Sequence, residues 1–193
     1  MNFGENGKVF SDFFAQGTGK RDKMMKKGRM DMTFAEWKEM LLKDLQEMPS
    51  AMAEVRGSAA NPDLQGEVRL FQTDAGVLVT ADVTGLPKQN ACGGVFGFHI
   101  HEGEDCGGDA FADTKGHYNP ENCPHPYHAG DLPPLFSNDG SAWMAVLTDR
   151  FRLEEVIGRT VVIHFGVDDF TTQPAGNSGR KIGCGVIVSC EGE

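Results

Sequence analysis

All six histidines of this 193-residue chain fall between His99 and His164. Six is an ordinary number for the length, so their placement carries the information. Two form the pair Phe98-His99-Ile100-His101. His117, His125 and His128 share a short stretch stiffened by Pro120, Pro124 and Pro126, with Asp131 following, and His164 closes the apolar run Thr160-Val161-Val162-Ile163. On a strand, residues i and i+2 face the same side, so His99 and His101 present two imidazoles to one ion. His164, at the end of another strand, supplies a third nitrogen. His125, His128 and Asp131, spaced three apart, converge on a second ion. Nitrogen-rich sites with one carboxylate suit zinc or copper, whereas magnesium and calcium take oxygen. The pattern predicts a metal site holding more than one ion. Cys123, inside the stretch, is either a thiolate ligand or a free or disulfide-bonded cysteine.

The elements that must position these groups read as β. From residue 51 the hydrophobic period is two, clearest in Glu67-Val68-Arg69-Leu70-Phe71-Gln72 and in residues 77–83. Strands are expected near 51–58, 64–74, 76–86, 94–102, 142–149, 159–165 and 182–189, with a weaker one near 131–138. Asp74-Ala75-Gly76 suits a tight hairpin. Short strands without long intervening helices predict an all-β, eight-stranded antiparallel Greek-key barrel or sandwich over 51–193. The longest non-strand stretches, 103–130 and 166–180, carry or flank the histidines, as functional loops do.

Residues 1–50 form a separate unit, a basic arm followed by an amphipathic helix at about 33–48. Thr33 and Glu36 make a capping box, Phe34, Trp37, Leu41, Leu45 and Met48 a helical stripe, and Pro49 a stop. This N-terminal extension either packs on the main domain or makes a dimer contact. Residues 1–30 hold seven basic and three acidic residues within a chain of net charge −10. The arm reads as a solvated tail, or as a contact for a membrane surface or an acidic partner. The overall acidity excludes nucleic acid as a partner, since phosphate contacts need clustered Lys and Arg. No run approaches the ~18 apolar residues of a membrane span, and no secretory signal is evident. A cytoplasmic location is therefore expected, with export by another route left open.

The ordered motifs Gly97-Phe98-His99-Ile100-His101-Glu102, Gly116-His117-Tyr118-Asn119-Pro120, His128-Ala129-Gly130-Asp131-Leu132, Val161-Val162-Ile163-His164 with Asp168-Asp169, and Gly176-Asn177-Ser178-Gly179 through Cys184-Gly185-Val186-Ile187 resemble the copper,zinc superoxide dismutase family. Thr171-Thr172-Gln173-Pro174 resembles its bacterial branch. The resemblance covers roughly residues 51–190. It implies copper on His99, His101, His117 and His164, and zinc on His117, His125, His128 and Asp131, with His117 bridging the two. It implies that Asp168 orients His99 and His125, and that Cys106 and Cys184 form a disulfide. The implied reaction is dismutation of superoxide, with His117 taking up and returning a proton. A homodimer is one assembly the resemblance implies.

The chain departs from the family pattern at three places. Lys181 stands where an arginine precedes the second disulfide cysteine, with Arg180 before it; either cation could guide the anion, but lysine lacks the planar fork. Only Pro126 and Tyr127 separate His125 from His128, and residues 107–116 are extra sequence beside the access channel. Cys92, Cys123 and Cys190 have no assigned role. The alternative to an enzyme is a catalytically weak or inactive copper- and zinc-binding relative. Such relatives commonly lose a copper histidine, and this chain retains them all.

Overall fold

The computed structural model describes residues 48–91 and 93–190, together with Glu39, Lys43 and Leu45. The basic arm, the capping box, most of the expected helix and Cys92 lie outside the described residues. Among those described there are ten strands: β1 (Ala51–Gly57), β2 (Gln65–Thr73), β3 (Gly76–Thr84), β4 (Gly94–Phe96), β5 (Phe98–His101), β6 (Leu135–Ser137), β7 (Ala142–Thr148), β8 (Thr160–His164), β9 (Lys181–Val186) and β10 (Val188–Ser189). Seven hydrogen-bond antiparallel in the order β5-β8-β9-β1-β2-β3-β7, with β10 alongside β1, while β4 and β6 form a separate ribbon. One helical turn, α1 (Leu153–Val156), links β7 to β8, and a 3-10 segment covers Asp109–Thr114.

Alternation explains which side chains fill this antiparallel barrel. Ala51, Ala53 and Val55 of β1, Val68 and Leu70 of β2, and Val77, Val79, Ala81 and Val83 of β3 point inward and are fully buried or nearly so. Phe98 and Ile100 of β5, with Val161 and Ile163 of β8, complete the core at the other end. The hairpin expected at Asp74-Ala75 joins β2 and β3 in the register Thr73↔Gly76. Gly76 has φ +135°, and a Cβ there would lie 2.3 Å from the Thr148 carbonyl oxygen, so glycine is required.

Two expected strands are each divided. The 94–102 segment changes partner at Gly97: β4 pairs with β6, whereas β5 pairs with β8. The Gly97 carbonyl accepts from His164 N at 2.8 Å, and its N–H donates to Gly166 O at 2.8 Å. A Cβ at Gly97 would sit 2.8 Å from Ser178 Oγ, so the bare backbone lets loop 166–180 close over the strand. The 182–189 segment breaks at Ile187, and the weak strand near 131–138 contracts to Leu135–Ser137.

Candidate metal centre

The residues of β5 that do not enter the core are His99 and His101. Their register partners on β8 are Val162 and Thr160. A bulge at the end of β8 places His164 opposite Lys181 of β9. This outer face is nonetheless dry: His99, His101, His117, His125, His128, His164, Asp131 and Asp168 are all buried. The cover is the long loop after β5, which docks on that strand's free edge. Tyr118 N donates to Ile100 O at 2.8 Å, Ile100 N to Gly130 O at 2.9 Å, and Glu102 N to Gly116 O at 2.9 Å. Gly130 approaches so closely that a Cβ would meet Ile100 O at 2.2 Å. The loop thereby brings His117 and Asp131 beside His101 and His99.

Two sets of donor atoms result, each within 4.8 Å among its members: His99, His101, His117 and His164, and His117, His125, His128 and Asp131. All six histidines are used, His117 in both sets. Its ring stacks on His99, with centroids 3.9 Å apart. Cys123 belongs to neither set and carries a free, half-buried thiol.

Carbonyl and carboxylate oxygens only accept hydrogen bonds, so the outer partners fix the neutral tautomers. His101 Nδ1 faces Lys115 O at 3.0 Å and His164 Nδ1 faces Gly179 O at 3.1 Å, which puts each ring proton on Nδ1. Their Nε2 lone pairs then oppose one another at 3.1 Å. Asp168 accepts from His99 Nε2 at 2.7 Å and from His125 Nε2 at 2.9 Å, leaving both Nδ1 atoms as lone pairs. The His125 lone pair points at Asp131 Oδ2, 3.0 Å away. His99 Nδ1, His117 Nε2, His125 Nδ1 and His128 Nδ1 are buried without a hydrogen-bond partner. Lone pairs aimed at lone pairs and at a carboxylate, in a dry site, fit a cation in each set and little else.

The protonation equilibria agree. Burial, with smaller repulsion from neighbouring groups, lowers His99 to about 4 and His164 to about 3, and drives His101 further down in the same way. Burial is also the main cause lowering His128. Burial alone would raise Asp131 and Asp168, but hydrogen bonds from His117 and from His99 respectively, with further bonds and charges around them, hold both carboxyls below the usual range. Neutral imidazoles beside ionised carboxylates are the forms that bind metal.

A family model described as copper/zinc superoxide dismutase matches residues 64–187. The chain belongs to the copper/zinc superoxide dismutase family. Bacterial family members named Cu-Zn superoxide dismutase are similar along most of their length. The protein of Legionella pneumophila is 36% identical over 143 residues, covering 70% of this chain and 85% of that one. The second such protein of Aquifex aeolicus is 36% identical over 137 residues, covering 63% and 78%. A crystal structure of a SOD-like protein from Bacillus subtilis superposes with a TM-score of 0.59 at 27% identity, covering 70% of this chain and 96% of that one.

Within this copper/zinc superoxide dismutase fold, Cys106 and Cys184 form the disulfide, tying the long loop to β9. The extra residues 107–116 include the 3-10 segment, strapped to β9 by Lys181. The Lys181 ammonium donates to Thr114 Oγ1 at 2.6 Å, Lys115 O at 2.9 Å and Phe111 O at 3.2 Å. Arg180 is exposed and stacks its guanidinium 4.4 Å from the Phe165 ring centroid. Sequence reasoning missed two residues that hold the zinc-type loop. Gln173 grips the backbone of His125 on both sides, accepting from its N–H at 2.9 Å and donating to its carbonyl at 2.7 Å. Its signal was the Thr171-Thr172-Gln173-Pro174 stretch, legible there only as a family mark. Arg150 contacts the same loop, and no local pattern singles it out.

Proposed function

We propose that the chain dismutates superoxide to dioxygen and hydrogen peroxide, with copper on His99, His101, His117 and His164 and zinc on His117, His125, His128 and Asp131. One observation carries the assignment: His117 lies in both donor sets, with Nδ1 2.8 Å from Asp131 Oδ1 and Nε2 buried without a partner. The all-nitrogen set suits copper, and the three-nitrogen, one-carboxylate set suits zinc. Copper, when bound, supplies the one-electron couple that oxidises one superoxide and reduces the next, while zinc adds a fixed charge beside His117.

The chain's own residues do the rest. His101 and His164 are held by backbone carbonyls, and His99 by Asp168, so the nitrogens converge before any ion arrives. His117 Nε2, whenever it is not committed to copper, takes a proton from solvent and passes it to the oxygen of the second superoxide as that oxygen is reduced; solvent provides the other proton, giving hydrogen peroxide. Lys181 supplies positive charge next to His164. Its three N–H groups already have protein acceptors, so it attracts the anion through its field rather than by a new hydrogen bond. An inactive metal-binding relative finds no support in a site whose donors are complete. We also assign the chain a homodimeric state, supported by Trp143, a large apolar side chain left 64% exposed near the start of β7; a monomeric mass in sedimentation equilibrium would refute it.

The deciding experiment loads the protein with zinc alone and with copper plus zinc, then follows superoxide decay directly. Fast decay only in the copper-containing sample is expected. Negligible decay in both, with copper shown to be bound, would overturn the proposal.

A further inference from the structure

Arg150, in the connection between β7 and α1, makes contacts that the reaction does not use. Its Nη1 lies 3.2 Å from Pro126 O, 3.2 Å from Asp131 O and 3.5 Å from His128 O. All three carbonyls belong to the short turn that presents the zinc-type donors, and two come from donor residues themselves. We infer that Arg150 is a positioning residue for the set His117, His125, His128 and Asp131, gathering residues 126–131 from outside so that their side chains converge inward. The inference rests on the function proposed above.

Three carbonyl dipoles aimed at one point repel each other unless a cation sits there, and charge-assisted bonds are roughly twice as strong as neutral ones. The turn has few bonds of its own. Tyr127 N donates to Pro124 O at 2.9 Å, Asp131 N to His128 O at 3.2 Å, and His128 N to Asp131 Oδ2 at 3.0 Å. With only Pro126 and Tyr127 between two donors, rotation of one peptide redirects an imidazole. Gln173 secures His125, but its grip does not reach His128 or Asp131. The four-histidine set is fixed differently, through Lys115 O, Gly179 O and Asp168. Loss of the Arg150 contacts therefore acts mainly on one set and reaches the other only through His117, which Asp131 holds at 2.8 Å.

The test uses the full chain, stripped of metal, with zinc ions titrated against a chromophoric chelator. Arg150→Gln is expected to weaken zinc binding roughly 10–100-fold, the usual range for partners that orient metal ligands. Arg150→Lys, which keeps the charge, recovers part of the loss. Cobalt(II) loaded in place of zinc shows an altered ligand-field spectrum in Arg150→Gln, while copper added alone to the metal-free variant loses much less affinity than zinc does. Unchanged zinc affinity in Arg150→Gln would overturn the inference, as would an equal loss of zinc and copper, which marks general loosening. A parent protein that does not hold zinc on these residues would overturn the proposed function as well.

Discussion

At the scale of single residues, the site depends on atoms whose hydrogen-bonding freedom has been removed. A free histidine has two tautomers and titrates near neutrality. His99, His101 and His164 each have one nitrogen committed to a fixed acceptor, and burial keeps the ring neutral. Lys181 is constrained in the same way, and this separates it from Arg180. The Lys181 ammonium lies among the residues around His101, whereas Arg180 rests on Phe165 at the surface. Lys181→Met is therefore expected to lower the rate with superoxide by roughly tenfold at low ionic strength and to flatten its salt dependence. Lys181→Arg restores both, and Arg180→Ala leaves both nearly unchanged. Pulse-radiolysis rates across a salt series check this, and a salt dependence that follows Arg180 instead would reverse the assignment. The donor residues themselves were legible in the sequence because histidines are scarce and their order matched a known pattern. The choice between Lys181 and Arg180 was not legible, since adjacent cations in a loop differ only in where the fold sends them.

At the scale of elements, strands supply direction and loops supply closure. Alternation in β5 and β8 sends Phe98, Ile100, Val161 and Ile163 to the core and leaves the histidines on the other face. That much followed from the period-two pattern. The division of residues 94–102 did not, because a strand that changes partner keeps its apolar alternation, and Gly97 alone marks the break. The 3-10 segment was equally hidden: Ala110 and Phe111 adopt φ +51° and +62°, a conformation those residue types do not advertise. Loop 166–180 depends on Gly176, at φ +64°, where a Cβ would lie 2.0 Å from Asp168 Oδ1 and 2.7 Å from His125 Nε2. Gly176→Ala is expected to displace the carboxylate that orients His99 and His125. The left-handed backbone alone costs roughly 1–2 kcal/mol for alanine, and affinity for both ions falls with it. Melting of the metal-free protein and separate copper and zinc titrations measure the two effects, and parent-like values in both would refute the role given to Asp168. Arg150 and Gln173 act across 19 to 48 residues on backbone atoms, a contact that no local spacing announces.

At the scale of the whole molecule, the barrel is a rigid floor and the two loops are a roof joined to it by the Cys106–Cys184 bond, Lys181 and Asp168. Among the described residues no helix is long and apolar enough to cross a membrane. Asp168 is the joint with the widest reach, because its two oxygens hold one imidazole from each donor set, and His117 sits in both. The sets are therefore linked in the thermodynamic sense. An ion that straightens one side relieves part of the ordering cost on the other, and the factor by which zinc tightens copper must equal the factor by which copper tightens zinc. Titrations run in either order return that factor, expected to exceed unity in the parent and to shrink toward it in Asp168→Asn; equal affinities with and without the other ion would deny the link. A molecule that already holds zinc therefore outcompetes a metal-free one for scarce copper.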